Sequence, residues 1–182
     1  MLELFVGDPK DKTVKRFAKH LSGKPKAFSV PRQAFQDAQF GRCYVNASAY
    51  ALASGGSVVS GWAIRVSPKL FLEAEQHAIV EDRQGRFLDV TPHPRNETKT
   101  CFVPDRKLQF SAAGGATIEN QYYAFCDGKL ADLVRRLLEI VRKQQSMMMS
   151  TGNLHYGFNM QERIPELHEL IAEIEDEMAK DD

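Results

Sequence analysis

Alternating apolar and polar positions predict an antiparallel sheet in the middle of the chain. Residues 58–66 alternate with a period of two, which is typical of a half-buried strand. Residues 75–80 and 86–91 flank a turn that contains Gly85, so they predict a β-hairpin. The other predicted strands are residues 1–6, 101–103, 108–110 and 117–125.

Two helices are predicted before this sheet. Asp8 and Pro9 have the pattern of an N-cap followed by proline at the first helical position, and Gly23 marks the end of that helix. The second helix is predicted from Cys43 to about Ser54. It is rich in alanine and serine, and such small side chains allow a helix to approach a neighbouring backbone closely.

Apolar residues spaced three and four apart predict two more helices near the C-terminus. One stripe runs from Leu130 to Val141 and the other from Ile164 to Met178, with a break over 147–153. The second stripe is predicted to pack on the chain's own sheet, because it has too few repeats for a coiled coil. The alternative is that a helix over 161–180 binds a partner.

The pattern as a whole predicts one α+β domain over residues 1–182. Within it, residues 41–128 form a helix and an antiparallel sheet, and residues 129–182 form a helical C-terminal extension. A length of 182 residues with 43% hydrophobic residues agrees with one globular domain that needs no metal or disulfide to fold. Three cysteines without a CxxC spacing argue against a disulfide framework or a cysteine-rich zinc module.

Charge and hydropathy limit the partners and the location that we expect. The 24 basic and 24 acidic residues cancel, which argues against a nucleic-acid-binding protein. Basic residues are in excess over 1–42 and acidic residues over 152–182, which predicts two solvated helix faces of opposite sign. The sequence has no signal peptide and no apolar run of the roughly 20 residues that a membrane span needs. We therefore predict a cytoplasmic protein that does not bind membranes.

Three polar residues form a candidate catalytic group. Cys43 begins the second helix, and the partial positive charge at a helix N-terminus favours the thiolate form of a cysteine. His77 and Asp89 lie on the two strands of the hairpin, each six residues from Arg83. An odd-length loop centred on Arg83 would place them directly opposite each other on one face of the sheet. Cys43 would then be the nucleophile, His77 the base, and Asp89 the residue that orients His77.

The order and spacing of these residues resemble the transglutaminase-like core, a branch of the papain-like cysteine peptidase superfamily. The resemblance covers residues 41–92. It implies an α+β fold in which the nucleophile helix packs on an antiparallel sheet, with Cys43, His77 and Asp89 as the catalytic triad. The segments that carry it are Gly41-Arg42-Cys43, Gly55-Gly56, Val58-Val59-Ser60-Gly61-Trp62, His77-Ala78-Ile79-Val80-Glu81 and Leu88-Asp89-Val90-Thr91-Pro92.

The predicted function is cysteine-dependent acyl transfer, most simply the hydrolysis of an amide or isopeptide bond through a thioester on Cys43. The substrate is an amide-containing protein or small molecule, and the reaction needs no cofactor. The backbone N–H of Cys43 and the side-chain amide of Gln39 are candidate donors to the oxyanion. Trp62 is a candidate wall of the substrate cleft.

Three alternatives remain open at this stage. The chain could be a catalytically silent papain-like binding domain, in which Cys43 has ordinary reactivity. It could bind a metal through Cys43, His77, Asp89 and His93, although the two prolines around His93 favour an exposed loop. It could also be an interaction protein that uses the helix over 161–180, in which case deletion of that helix would abolish association and spare the thiol chemistry.

Overall fold

The structure is a computed structural model that describes residues 2–111, 113–150 and 165–180. Within these ranges the fold is α+β, with a seven-stranded open antiparallel sheet and four helices, two of them at the C-terminal end, as predicted. The elements in chain order are β1 (Phe5–Val6), α1 (Lys12–Ser22), β2 (Phe28–Pro31), α2 (Cys43–Ser54), β3 (Ser57–Ser67), β4 (Phe71–Glu81), β5 (Phe87–Leu88), β6 (Lys99–Pro104), β7 (Gln121–Ala124), α3 (Gly128–Ser150) and α4 (Pro165–Met178).

A long hairpin of β3 and β4 forms the centre of the sheet. It pairs in continuous antiparallel register from Ser57 opposite Glu81 to Ser67 opposite Phe71. Strands β6 and β2 extend the sheet beyond β3, and β5 extends it beyond β4. The short strands β1 and β7 pair with the remaining lengths of β3 and β4.

The two strands at the ends of this order, β2 and β5, also come together. Asp89, directly after β5, forms a parallel bridge with Arg32, directly after β2. The Asp89 N–H donates to the Pro31 carbonyl at 2.9 Å, and the Gln33 N–H donates to the Asp89 carbonyl at the same distance. The sheet is therefore curved strongly enough to bring Asp89 next to the side chains of Arg32, directly after β2, and of Thr100 in β6.

Helices α1 and α2 cover the same face of the sheet. Phe17 of α1 is buried with Trp62 and Leu72, and the alanines of α2 are buried against Ala78 and Val80. Because side chains alternate along a strand, the odd-numbered residues of β4, His77 among them, face the other side. The core on that side is Val30, Val59, Ile79 and Phe102.

Helix α2 has the predicted bounds, whereas α1 begins later than predicted. The N-cap of α1 is Asp11, whose side chain accepts hydrogen bonds from the N–H groups of Thr13 and Val14. The predicted cap, Asp8, instead accepts a hydrogen bond from the Lys10 N–H at 2.8 Å, in a turn before the helix. Both helices end at a left-handed glycine, Gly23 and Gly55.

The two C-terminal helices pack on each other and on one end of the sheet. Helix α3 continues to Ser150 through the first part of the predicted break. The apolar stripe of α4 is buried within the chain, against α3 and the residues Leu70 and Phe71. Residues 161–164 of the proposed partner-binding helix lie outside the described part. The stripe of α4 consists of Leu167, Leu170, Ile171 and Ile174.

The predicted strand over 108–110 is a loop in the structure, and that over 117–125 is reduced to β7. The physical reason is Gln76 of β4, whose buried side chain binds this segment. Its amide donates to the Gln109 carbonyl at 2.7 Å and its oxygen accepts from the Thr117 N–H at 2.8 Å.

Among the described residues, no helix is long and apolar enough to cross a membrane.

Candidate active site

Cys43 is the first residue of α2, and its side chain is half-buried. The chain reaches it through Gly41, which has a left-handed backbone conformation with φ of 74°. The N-cap residue, Arg42, makes no side-chain hydrogen bond to the first turn. The first backbone N–H groups of a helix have no partner within the helix, so the turn that begins with Cys43 offers free donors.

His77 and Asp89 are in direct contact. The Nε2 atom of His77 lies 3.0 Å from the Oδ2 atom of Asp89, and both side chains are buried. They are diagonal neighbours on one face, and not directly opposite as predicted. The register places Val80 opposite Leu88, so the hairpin loop is centred on Gln84 and not on Arg83.

The side chain of Asp82 explains this shift in the turn. Its Oδ1 atom accepts hydrogen bonds from the N–H groups of Gln84 and Arg86, at 2.9 and 2.8 Å. Gly85 then adopts a left-handed conformation with φ of 77°. The loop keeps an odd number of residues, so His77 and Asp89 stay on the same face.

Although α2 packs on the opposite face of β4, the Cys43 side chain at its N-terminal end interacts with the same imidazole. Burial lowers the pKa of His77, but the charges of Asp89 and Cys43 and the hydrogen bonds with both raise it to about 10. Because Nε2 is engaged by Asp89, Nδ1 is the ring nitrogen left for the thiol. His77 is thus held between the Cys43 side chain and a buried carboxylate.

Asp89 is fully buried and accepts four hydrogen bonds. Its Oδ2 atom accepts from Nε of Arg32 at 2.9 Å and from the Thr100 hydroxyl at 2.5 Å, as well as from His77. Its Oδ1 atom accepts from the Thr91 N–H at 3.0 Å. Burial raises the pKa of this carboxyl, but the charge and hydrogen bond of His77, followed by Arg32 and Thr100, hold it well below its usual range.

Arg32 connects Asp89 to a second cluster of charged residues. Its guanidinium lies 3.4 Å from Glu97, and Glu97 lies 4.0 Å from Arg65 and 3.4 Å from His93. Burial and the positive charge of Arg65 lower the pKa of His93 to about 4. His93 is therefore part of this cluster and not of the candidate catalytic group. Among the described residues, no three His, Cys, Asp or Glu side chains are placed to hold a metal ion.

The structure does not bring Trp62 to the site. Trp62 pairs with Gln76 and shares its face, whereas His77 is on the opposite face. It is buried among residues that pack on α1. Gln39 lies in the loop before Cys43, and its side-chain oxygen accepts from Arg42 at 3.4 Å.

Sequence reasoning missed Arg32, Thr100 and Asn46. Arg32 and Thr100 hold Asp89, and Asn46 binds both Gln39 and Thr91. Arg32 lies in a segment without periodicity, and the curvature that brings β2 to Asp89 has no local signal. Asn46 is a polar residue on the buried face of an alanine-rich helix, and that contrast was a usable signal.

Comparison with known proteins finds no family model that matches the chain, no similar curated protein and no similar solved structure.

Proposed function

We propose that the protein is a cysteine-dependent acyl-transfer enzyme with a papain-like core, which hydrolyses an amide or isopeptide bond. Cys43 is the nucleophile, His77 the general base and acid, and Asp89 the residue that orients His77. The observation that carries the proposal is the position of His77, which is hydrogen-bonded to the buried carboxylate of Asp89 at 3.0 Å and interacts with the Cys43 side chain in a way that raises the pKa of the imidazole.

The charges of the site favour an imidazolium–thiolate pair. The charges alternate in sign along the row of side chains Arg32, Asp89, His77 and Cys43. The ion pair of Arg32 and Asp89, at 2.9 Å, keeps the carboxylate ionised despite its burial. That carboxylate in turn favours the protonated imidazole, and the imidazolium favours the thiolate.

In the first half of the reaction, the Cys43 sulfur attacks the amide carbonyl carbon. The new C–S bond leaves a negative charge on the carbonyl oxygen, which the backbone N–H groups of the first turn of α2 can stabilise. His77 then transfers its proton to the amide nitrogen, and the C–N bond breaks. The amine leaves, and the acyl group remains on Cys43 as a thioester.

In the second half, a water molecule attacks the thioester carbon and His77 accepts one of its protons. The C–S bond breaks, the acid is released, and the imidazolium–thiolate pair is restored. A primary amine in place of water would give acyl transfer by the same steps. A reducing, cytoplasmic setting keeps the thiol available for this chemistry.

The test is acylation by a simple activated ester, p-nitrophenyl acetate, followed by peptide mass spectrometry and release of nitrophenol. We expect acetylation of Cys43 with continued turnover, loss of turnover in His77→Gln, and loss of the acetyl site in Cys43→Ser. Cys126→Ser is the matched control, because Cys126 is also half-buried but lies beyond β7, outside the site. Acetylation of Cys43 no faster than of Cys126 would contradict the proposal and favour a silent binding domain.

A further inference from the structure

We propose that Asn46 is a positioning residue, which fixes the helix that carries Cys43 relative to the strand end that carries Asp89. The inference rests on the function proposed above. The Asn46 side chain does not contact the reacting atoms. Its proposed role is to control the distance between the Cys43 thiol and the His77 imidazole.

Asn46 first fixes the loop that leads into the helix. It lies one turn after Cys43, and only 4% of its surface is exposed. Its Oδ1 atom accepts from the Gln39 N–H at 3.0 Å, and its Nδ2 atom donates to the Gln39 carbonyl at 2.7 Å. These two bonds hold the backbone of Gln39 to the body of α2.

The same side chain also reaches the strand end. The Nδ2 atom of Asn46 donates to the Thr91 hydroxyl at 3.3 Å. The Thr91 N–H donates to Oδ1 of Asp89 at 3.0 Å, and Asp89 holds His77 through its other oxygen. A continuous path of hydrogen bonds therefore runs from the nucleophile helix to the group that orients the base.

The fully buried apolar residues of this helix are small. They are Ala47 and Ala51, whose side chains cannot interlock deeply with the sheet. The larger Tyr44 and Tyr50 are partly buried and contact the loop residues Phe110 and Phe35. The helix also has no side-chain cap at Arg42. The polar contact of Asn46 adds directional restraint to this packing, and catalytic geometry is sensitive to displacements of about 1 Å.

The test measures iodoacetamide labelling of Cys43 at pH 6 and pH 9 in the full-length protein. Labelling at pH 9 reports access to the thiol, whereas the ratio of the two rates reports its pairing with His77. The variants are Asn46→Ala and Thr91→Val, which keeps the shape of threonine but removes the hydroxyl. The matched control is Asn120→Ala, a second buried asparagine, which donates to Glu73.

We expect Asn46→Ala to lower the pH 6 rate about tenfold or more relative to the pH 9 rate. Thr91→Val is expected to lower it in the same direction by less, and Asn120→Ala to leave the ratio unchanged although its melting temperature falls. An unchanged ratio in both Asn46→Ala and Thr91→Val would overturn the positioning role while wild-type Cys43 still labels fast at pH 6. Slow labelling of wild-type Cys43 at pH 6 would instead overturn the proposed function, and the inference with it.

Discussion

Asp89 distributes four hydrogen bonds over its two oxygens in a way that leaves His77 a single orientation. The Oδ1 atom is taken by a backbone N–H, which fixes the plane of the carboxylate. The Oδ2 atom is shared by His77, Arg32 and Thr100. A buried carboxylate with this many donors is ionised and immobile, which are the two properties that an orienting residue needs.

Replacing Asp89 by asparagine should reduce both reactivity and stability. The variant removes the charge that favours the imidazolium, so labelling of Cys43 at pH 6 should slow. It also leaves the charge of Arg32, whose side chain is buried, without its closest acidic partner. We expect a loss of about 3 kcal/mol in the free energy of unfolding, measured by urea denaturation.

Glu97→Gln is the matched control for this variant. Glu97 is the other carboxylate beside Arg32, at 3.4 Å, and its charge is removed without a direct change to the bond between His77 and Asp89. It should destabilise the fold while Cys43 labelling stays at the wild-type rate. Equal labelling rates in Asp89→Asn and Glu97→Gln would show that Asp89 has only a structural role.

The stability of the protein should depend on pH through the pair of His77 and Asp89. The pKa of His77 is raised in the folded state, so its contribution is fully present below about pH 6.5 and is lost as pH rises through about 10. The pKa of Asp89 is lowered, so its contribution is present above about pH 4 and is lost as pH falls further. Urea denaturation from pH 5 to 10 should show that the free energy of unfolding falls more steeply at alkaline pH for wild type than for His77→Gln. Parallel curves for the two proteins would contradict this contribution of His77.

At the scale of the elements, features that depend on neighbouring residues could be predicted from the sequence. Features that depend on contacts between distant segments could not. The bounds of α2 and the shared face of His77 and Asp89 followed from Gly55 and from strand parity. The exact register did not, because the Asp82 side chain moves the centre of the turn by one residue. Arg32 reaches Asp89 only through the curvature of the sheet, and no local pattern encodes that.

The sheet beside the site requires a glycine at position 61. It pairs with His77, and a Cβ atom at this position would overlap the Val103 carbonyl oxygen and the Phe102 ring. Gly61→Ala should therefore weaken the contact of β3 with β6 and cost about 2 kcal/mol in the free energy of unfolding. The change is measured by urea denaturation.

Gly85→Ala provides the comparison for this variant. A Cβ atom at position 85 meets nothing within 4 Å, so its cost arises only from the left-handed backbone, with φ of 77°, and should be about 1 kcal/mol. A Gly61→Ala variant as stable as wild type would show that β6 can move away from β3 freely, which would contradict the importance of their close approach.

For the whole molecule, the two C-terminal helices form a core of their own against one end of the sheet. Ile174 is fully buried in the cluster that joins α3, α4 and Phe71. The apolar stripe that could have bound a partner is thus part of the fold. The candidate catalytic group lies elsewhere, beside the N-terminal end of α2.

Ile174→Ala should destabilise the protein by about 3 kcal/mol through the cavity that it leaves, measured by urea denaturation. Glu173→Ala, on the exposed side of the same helix, should change stability by less than about 0.5 kcal/mol. Both variants should label at Cys43 like wild type under native conditions. An Ile174→Ala variant as stable as wild type would contradict the burial of α4 and favour a partner-binding role for it instead.

The most direct measurement for the central claim is the rate of iodoacetamide labelling of each cysteine against pH, resolved by peptide mass spectrometry. Burial raises the pKa of Cys101 to about 12 and also raises the pKa of Cys126, so both serve as slow internal references. We predict that Cys43 labels rapidly at about pH 6, where an ordinary thiol is protonated, and that His77→Gln removes this reactivity. Labelling of Cys43 that rises only near pH 8.5, with or without His77, would contradict the catalytic pair.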